Sequence, residues 1–179
     1  MQKKLNILIF ISSLSLSLVF FSCEDKFEPP KSDLSSENIP VQESWNSTVT
    51  FSDSGFVKAI LQAGHISAFS DKGYTLIDSG AVVDFYKNGE VVSTLTGKRG
   101  KVEDMSKDIE IYDSVRVVNK TGSELKTSKL LWKNKTQKVY SDVFVRITTP
   151  KEIIEGIGFE SDQNLGNYKI YQVSGIFDK

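Results

Sequence analysis

One cysteine, Cys23, and one histidine, His65, are all that this chain of 179 residues offers of either type. A lone cysteine excludes an intrachain disulfide framework. Together the two scarcities remove metal sites built from several His or Cys ligands and leave few acid–base centres. Neither sign of charge is in excess. Setting aside Lys3 and Lys4 leaves 20 basic residues against 23 acidic ones, a formal charge of −3 for residues 23–179, so no electrostatic case exists for a nucleic-acid partner. No Walker-type phosphate loop is present. His65 could couple with Asp71, but no suitably spaced nucleophile accompanies it, and a lone histidine is more often a hydrogen-bonded structural residue. No catalytic residue, metal or cofactor is assigned, and an enzyme is not expected. The length suits one domain with appendages.

What is present begins with a short positive start, Lys3 and Lys4, and then 17 residues, Leu5 to Phe21, that are apolar apart from Asn6 and scattered serines. This is the layout of a secretory signal. It is short and serine-diluted beside the roughly 20 apolar residues of a spanning helix. Val19-Phe20-Phe21-Ser22-Cys23 resembles a lipobox, with a small residue directly before the cysteine and Phe20 where leucine is usual. The reading is a signal peptide over 1–22 and an acylated N-terminus at Cys23, several acyl chains holding the membrane durably where one holds marginally. Residues 23–46 include three of the four prolines, Pro29, Pro30 and Pro40, amid Ser, Glu, Asp and Lys. Such a composition is expected to form an extended tether.

Residues 47–179 change character. Short runs of Val, Ile, Phe, Tyr and Thr alternate with turn clusters, and no stretch has a helical period. Three turns end in glycine, Ser52-Asp53-Ser54-Gly55, Tyr86-Lys87-Asn88-Gly89 and Asn119-Lys120-Thr121-Gly122, spaced 34 and then 33 residues apart. Thr149-Pro150-Lys151-Glu152 follows about one period later. A second marker lies inside each unit: Ile77-Asp78-Ser79-Gly80-Ala81-Val82, Tyr112-Asp113-Ser114-Val115-Arg116-Val117 and Tyr140-Ser141-Asp142-Val143-Phe144-Val145. There the strand is expected to break. The pattern implies stacked small β modules rather than an immunoglobulin-like sandwich.

Period-two alternation separates the two faces of each strand. Val143, Val145 and Ile147 share a side; Ile109 and Ile111 flank Glu110; Val115 and Val117 flank Arg116; Ile153, Ile157 and Phe159 alternate with Ile154, Gly156 and Gly158. Any one of these fits core packing as well as a binding face. Gly156 and Gly158 suit a ligand's approach or close backbone packing equally, and Trp45 and Trp132 suit sugar stacking or half-buried packing.

With those repeats in view, the chain resembles the LptC family, periplasmic lipopolysaccharide-export components related to the organic-solvent-tolerance repeat proteins. The resemblance spans most of residues 47–177. It rests on Ser52-Asp53-Ser54-Gly55, Leu125 to Trp132, Val139-Tyr140-Ser141-Asp142, Gly156-Ile157-Gly158-Phe159-Glu160-Ser161-Asp162 and Asn167-Tyr168-Lys169-Ile170. It implies an all-β, twisted, V-shaped open β-jellyroll of short antiparallel strands. It further implies that the apolar interior accepts lipopolysaccharide acyl chains from an inner-membrane ABC transporter and passes them to a periplasmic bridge protein of the same jellyroll type, strand edge to strand edge. Many members keep an N-terminal transmembrane helix, so a lipobox changes the anchor. The expected place is the periplasmic face of the inner membrane, with the outer membrane as the other choice. Val83, Phe85, Leu95, Ile111, Val117, Val145, Ile157 and Phe159 are expected to line the lipid path. The rival reading is a structural or glycan-binding β-repeat lipoprotein of the envelope.

Overall fold

A computed structural model describes residues 39–178; the expected signal peptide, Cys23 and most of the expected tether lie outside the described residues, as does Lys179. Among the described residues every regular element is a strand: β1 (Gln42–Asp53), β2 (Phe56–Phe69), β3 (Tyr74–Lys87), β4 (Glu90–Gly97), β5 (Arg99–Glu103), β6 (Ile109–Asn119), β7 (Glu124–Lys133), β8 (Lys138–Thr148), β9 (Glu152–Asp162) and β10 (Tyr168–Asp178). They form one antiparallel sheet in the order β1-β2-β3-β4-β6-β7-β8-β9-β10, with β5 bridging β3 and β6. The all-β, jellyroll-like expectation holds. β1 begins inside the stretch read as tether, because Gln42 to Trp45 pair in register with Ala68 to His65 despite their polar composition. The domain therefore starts ahead of residue 47.

The glycine-ending turns fall where the spacing placed them. Asn88 and Gly89 have φ of 54° and 80°, the left-handed pair that a tight hairpin requires and that asparagine and glycine tolerate best. The turns between β1 and β2, β3 and β4, β6 and β7, and β8 and β9 all close the same end of the sheet. The spacing thus marks a recurring pair of long strands. Separate stacked modules do not form, since all ten strands share one sheet.

The inner markers correct a second expectation. At Ser79-Gly80, Asp113-Ser114 and Ser141-Asp142 the strands β3, β6 and β8 run on, and the pairing register slips there instead. Ser79, Asp113 and Ser114 have φ of 59°, 62° and 54°, a conformation that short polar side chains accept more readily than β-branched ones. These are β-bulges, which bend and twist a strand without ending it. The break that does occur is at Lys98, between β4 and β5, where the Lys98 carbonyl accepts from Gly80 N–H at 3.0 Å.

Bending at the bulges folds the sheet onto itself. The Trp132 ring on β7 lies 5.3 Å from Phe85 on β3 and 6.2 Å from Phe51 on β1, centroid to centroid. In a flat sheet, three and five strand spacings of about 4.8 Å would separate them by about 14 and 24 Å. The strand halves on either side of the bulges therefore face each other as two walls, and the apolar cluster lies between them.

Candidate functional site

Directly opposed residues of an antiparallel pair point to the same face, so the registers trace rows across the sheet. Val49 opposes Leu61, Leu61 opposes Val83, Val83 opposes Leu95 and Leu95 opposes Val117. Val117 opposes Leu125, Leu125 opposes Ile147, Ile147 opposes Ile154 and Ile154 opposes Ile176. The row is Val, Leu or Ile at every position from one edge strand to the other. Leu61 through Ile147 are at most 1% exposed, whereas the ends are open, Val49 at 37% and Ile176 at 61%. A second row crosses the facing wall through Ile66, Ile77, Gly100, Ile111 and Leu130. A Cβ at Gly100 would stand 2.6 Å from Ile111 Cδ1, so these side chains occupy the space the glycine leaves.

Seven of the eight residues expected along the lipid path lie on this inner face: Val83, Phe85, Leu95, Ile111, Val117, Val145 and Phe159, each at most 1% exposed. Ile157 does not. It is 47% exposed on the outer face, because the register slips between Ser141 and Phe144 and Gly158 adopts φ of 79°, placing two residues between inward Gly156 and inward Phe159. The alternation of β9 reverses there, and Ile154 takes the inward place that simple period two assigns to Ile153. Leu61 and Leu125 were not among the expected path residues, nor was Ile147, which the alternation had placed on one side with Val145. Counting back from the tight turns points towards such partners, but one-residue slips at Phe51/Ser52 and Phe85/Tyr86 are invisible to counting.

Open space meets the rows at the β1 edge. A cleft of about 670 Å³ is lined by Val49, Phe51, Leu61, Ile66 and Val102, and by Asp104, Lys107 and Asn134 from the β5–β6 and β7–β8 turns. Among the described residues β1 pairs only with β2, and β10 only with β9. Each edge strand therefore presents unpaired backbone groups on its free side, where a further strand can add.

The outer face, where Trp45, Phe144 and Ile157 are also exposed, is cross-linked by charge. Lys129 Nζ lies 3.0 Å from Glu110 and Arg146 Nη1 lies 2.7 Å from Glu155, while Arg116 pairs with Glu124. Partial burial works to raise the Glu110 pKa, but hydrogen bonds from Tyr112 and Lys129 together hold it below the usual value. His65 is matched in register with Asp78, not with Asp71 in the β2–β3 turn. Its Nδ1 is 3.1 Å from both Asp78 oxygens, its Nε2 is 3.4 Å from Glu43, and Trp45 stacks on its ring at 4.9 Å. The His65 hydrogen bond holds the Asp78 carboxyl below its ordinary 3.8, against a smaller opposing effect of burial. The arrangement ties β1, β2 and β3 together across the outer face.

Trp132 is buried, so of the two tryptophans only the exposed Trp45 could serve as a sugar platform, and His65 already covers one of its faces. A Cβ at Gly156 would stand 2.4 Å from the Gln172 carbonyl oxygen. Close approach of β9 and β10 accounts for that glycine.

Residues 5–178 match the family model described as lipopolysaccharide-assembly, LptC-related. No curated protein matches the chain.

Proposed function

The chain belongs to the LptC-related lipopolysaccharide-assembly family, and from that premise we propose that it carries lipopolysaccharide by its acyl chains along the inner face, receiving it from an inner-membrane ABC transporter and passing it to a jellyroll bridge protein. Membership itself brings lipopolysaccharide export, a transport or bridging role, and association with the periplasmic side of the inner membrane. The observation that carries the finer reading is the unbroken Val/Leu/Ile row, closed in its middle and open at both edge strands. A neighbour that adds a strand at β1 or β10 would continue that row into its own interior.

The mechanism is binding without covalent chemistry. Each methylene removed from water contributes about 0.8 kcal/mol, so several acyl chains give ample affinity, and letting go is the harder step. Release by the next molecule, driven by ATP hydrolysis in the transporter, meets that requirement. The cleft at Val49, Phe51 and Leu61 is the proposed entry to the row, and the seven buried inner-face residues, spread over both walls, line the path beyond it. In this reading Cys23 is acylated and residues 1–22 are removed, which replaces a membrane helix by a lipid anchor.

Reconstitution tests the reading. With transporter and lipopolysaccharide in proteoliposomes and a soluble jellyroll acceptor outside, lipopolysaccharide is expected on the acceptor only when both this protein and ATP are present. Equal transfer without this protein would refute the carrier role. Mass spectrometry of the mature N-terminus should find an acylated Cys23, and Cys23→Ser should abolish that modification.

A further inference from the structure

The middle of the apolar row is sealed, so acyl chains that enter at the β1 cleft advance along it only when the two walls part, and the contacts that join the wall tips become the control point. We propose that the β9–β10 turn, Gln163 to Asn167, is a latch that opens to admit acyl chains; the identity of the cargo rests on the function proposed above.

Three hydrogen bonds dock this turn onto the opposite wall. The Ser93 hydroxyl donates to the Gln163 carbonyl, Gln163 Nε2 donates to the Tyr86 carbonyl at 2.8 Å, and Asn119 Nδ2 donates to the Asn164 carbonyl at 2.7 Å. Leu165 is inserted into the core between the walls. The turn is stiff within itself, because the Asp162 carboxylate accepts from Gly166 N–H at 2.9 Å and from Asn167 Nδ2 at 3.1 Å. It can therefore undock as a unit without losing its own shape.

The closed position holds two local penalties. Leu165 sits at φ of 55°, a left-handed conformation that a leucine adopts only when its surroundings impose it. Gln163 is 6% exposed, and its Oε1 is buried with no hydrogen-bond partner among the described residues, so it gives up its hydration without replacement. Undocking relieves the second penalty at once. It also has room, since a cleft of about 980 Å³ lined by Phe56, Ile60, Tyr86 and Lys138 borders Gln163. A turn held by three bonds, one buried leucine and two penalties is poised near balance, and acyl chains occupying the exposed row would hold it open.

The test uses the full chain in a Cys23→Ser background. Spin labels at Lys87 and Asn164 report the distance between the wall tips. Without lipid, Ser93→Ala removes one docking bond and is expected to raise the ratio of long to short distances about fivefold. An unchanged distribution would overturn the latch. In a Ser93→Cys/Gln163→Cys protein, joining the two thiols should lower lipopolysaccharide uptake from micelles about tenfold, and reduction should restore it. Equal uptake by the joined and reduced forms would show that lipid enters elsewhere and overturn the proposal. If the labelled tips respond to Ser93→Ala while the reduced protein takes up no lipopolysaccharide, the latch stands and the lipid-carrier reading falls.

Discussion

Replacing Trp132 distinguishes a sheet folded onto itself from one that merely curves. The ring is buried between Phe51 and Phe85, on strands five and three ladder steps away, and its Nε1–H is buried without a partner among the described residues. Trp132→Ala removes the joint between the walls and is expected to cost about 3–5 kcal/mol, a large share of the roughly 5–15 kcal/mol that holds a domain folded. Trp132→Phe should behave quite differently. Its lost volume, about 40 Å³ at about 24 cal/mol per Å³, costs about 1 kcal/mol. Removing an unpartnered buried N–H returns about 1–3 kcal/mol. The phenylalanine variant should therefore match or slightly exceed the parent in equilibrium urea unfolding followed by circular dichroism. A loss above about 2 kcal/mol for Trp132→Phe would mean that the indole N–H makes a bond, and the reasoning would fail. A loss below about 1 kcal/mol for Trp132→Ala would mean that the walls are not joined through this ring.

The reversed alternation in β9 predicts that Ile157→Ser changes stability by no more than about 0.5 kcal/mol, whereas Ile111→Ala on the inner face costs about 2–5 kcal/mol in the same urea assay. Gly64→Ala would put a Cβ 2.3 Å from the Ser79 carbonyl oxygen; moving that bulge should cost about 1–3 kcal/mol, read as a lower urea midpoint. Asp78 is more acidic in the fold than in the unfolded chain because of His65, so its contribution is fully present above the unfolded value of 3.8 and disappears as pH falls through the lower folded value. Urea midpoints of Asp78→Asn and the parent should thus differ at neutral pH and converge in acid; a gap that widens in acid would contradict the assignment.

Local chemistry made the sheet legible and left its registers hidden. Asn88-Gly89 and Ser54-Gly55 announce hairpins because few residue pairs accept left-handed backbone at adjacent positions. Val83, Leu95 and Val117 fell on the correct face because the alternation of their strands runs undisturbed from a turn or a bulge. Ser79-Gly80 and Asp113-Ser114 look like strand ends, since the residues that permit a bulge are the same ones that form a turn. Ile157 was misplaced for the related reason that a single bulge inverts every side chain beyond it. The latch lay further out of reach. Gln163 meets Ser93 and Tyr86 only after the sheet has folded, 70 and 77 residues away along the chain, and nothing local in either segment signals the encounter.

Photocrosslinking in living cells reads out which face carries lipid, with a photoreactive residue placed in turn at Val83, Val117, Val145 and Phe159 on the inner face and at Ile157 and its directly opposed, exposed partner Phe144 on the outer face. Lipopolysaccharide adducts from the inner positions, dependent on ATP supply to the transporter and absent from Ile157 and Phe144, are the predicted result. Adducts from the outer pair with none from the inner positions would contradict the account.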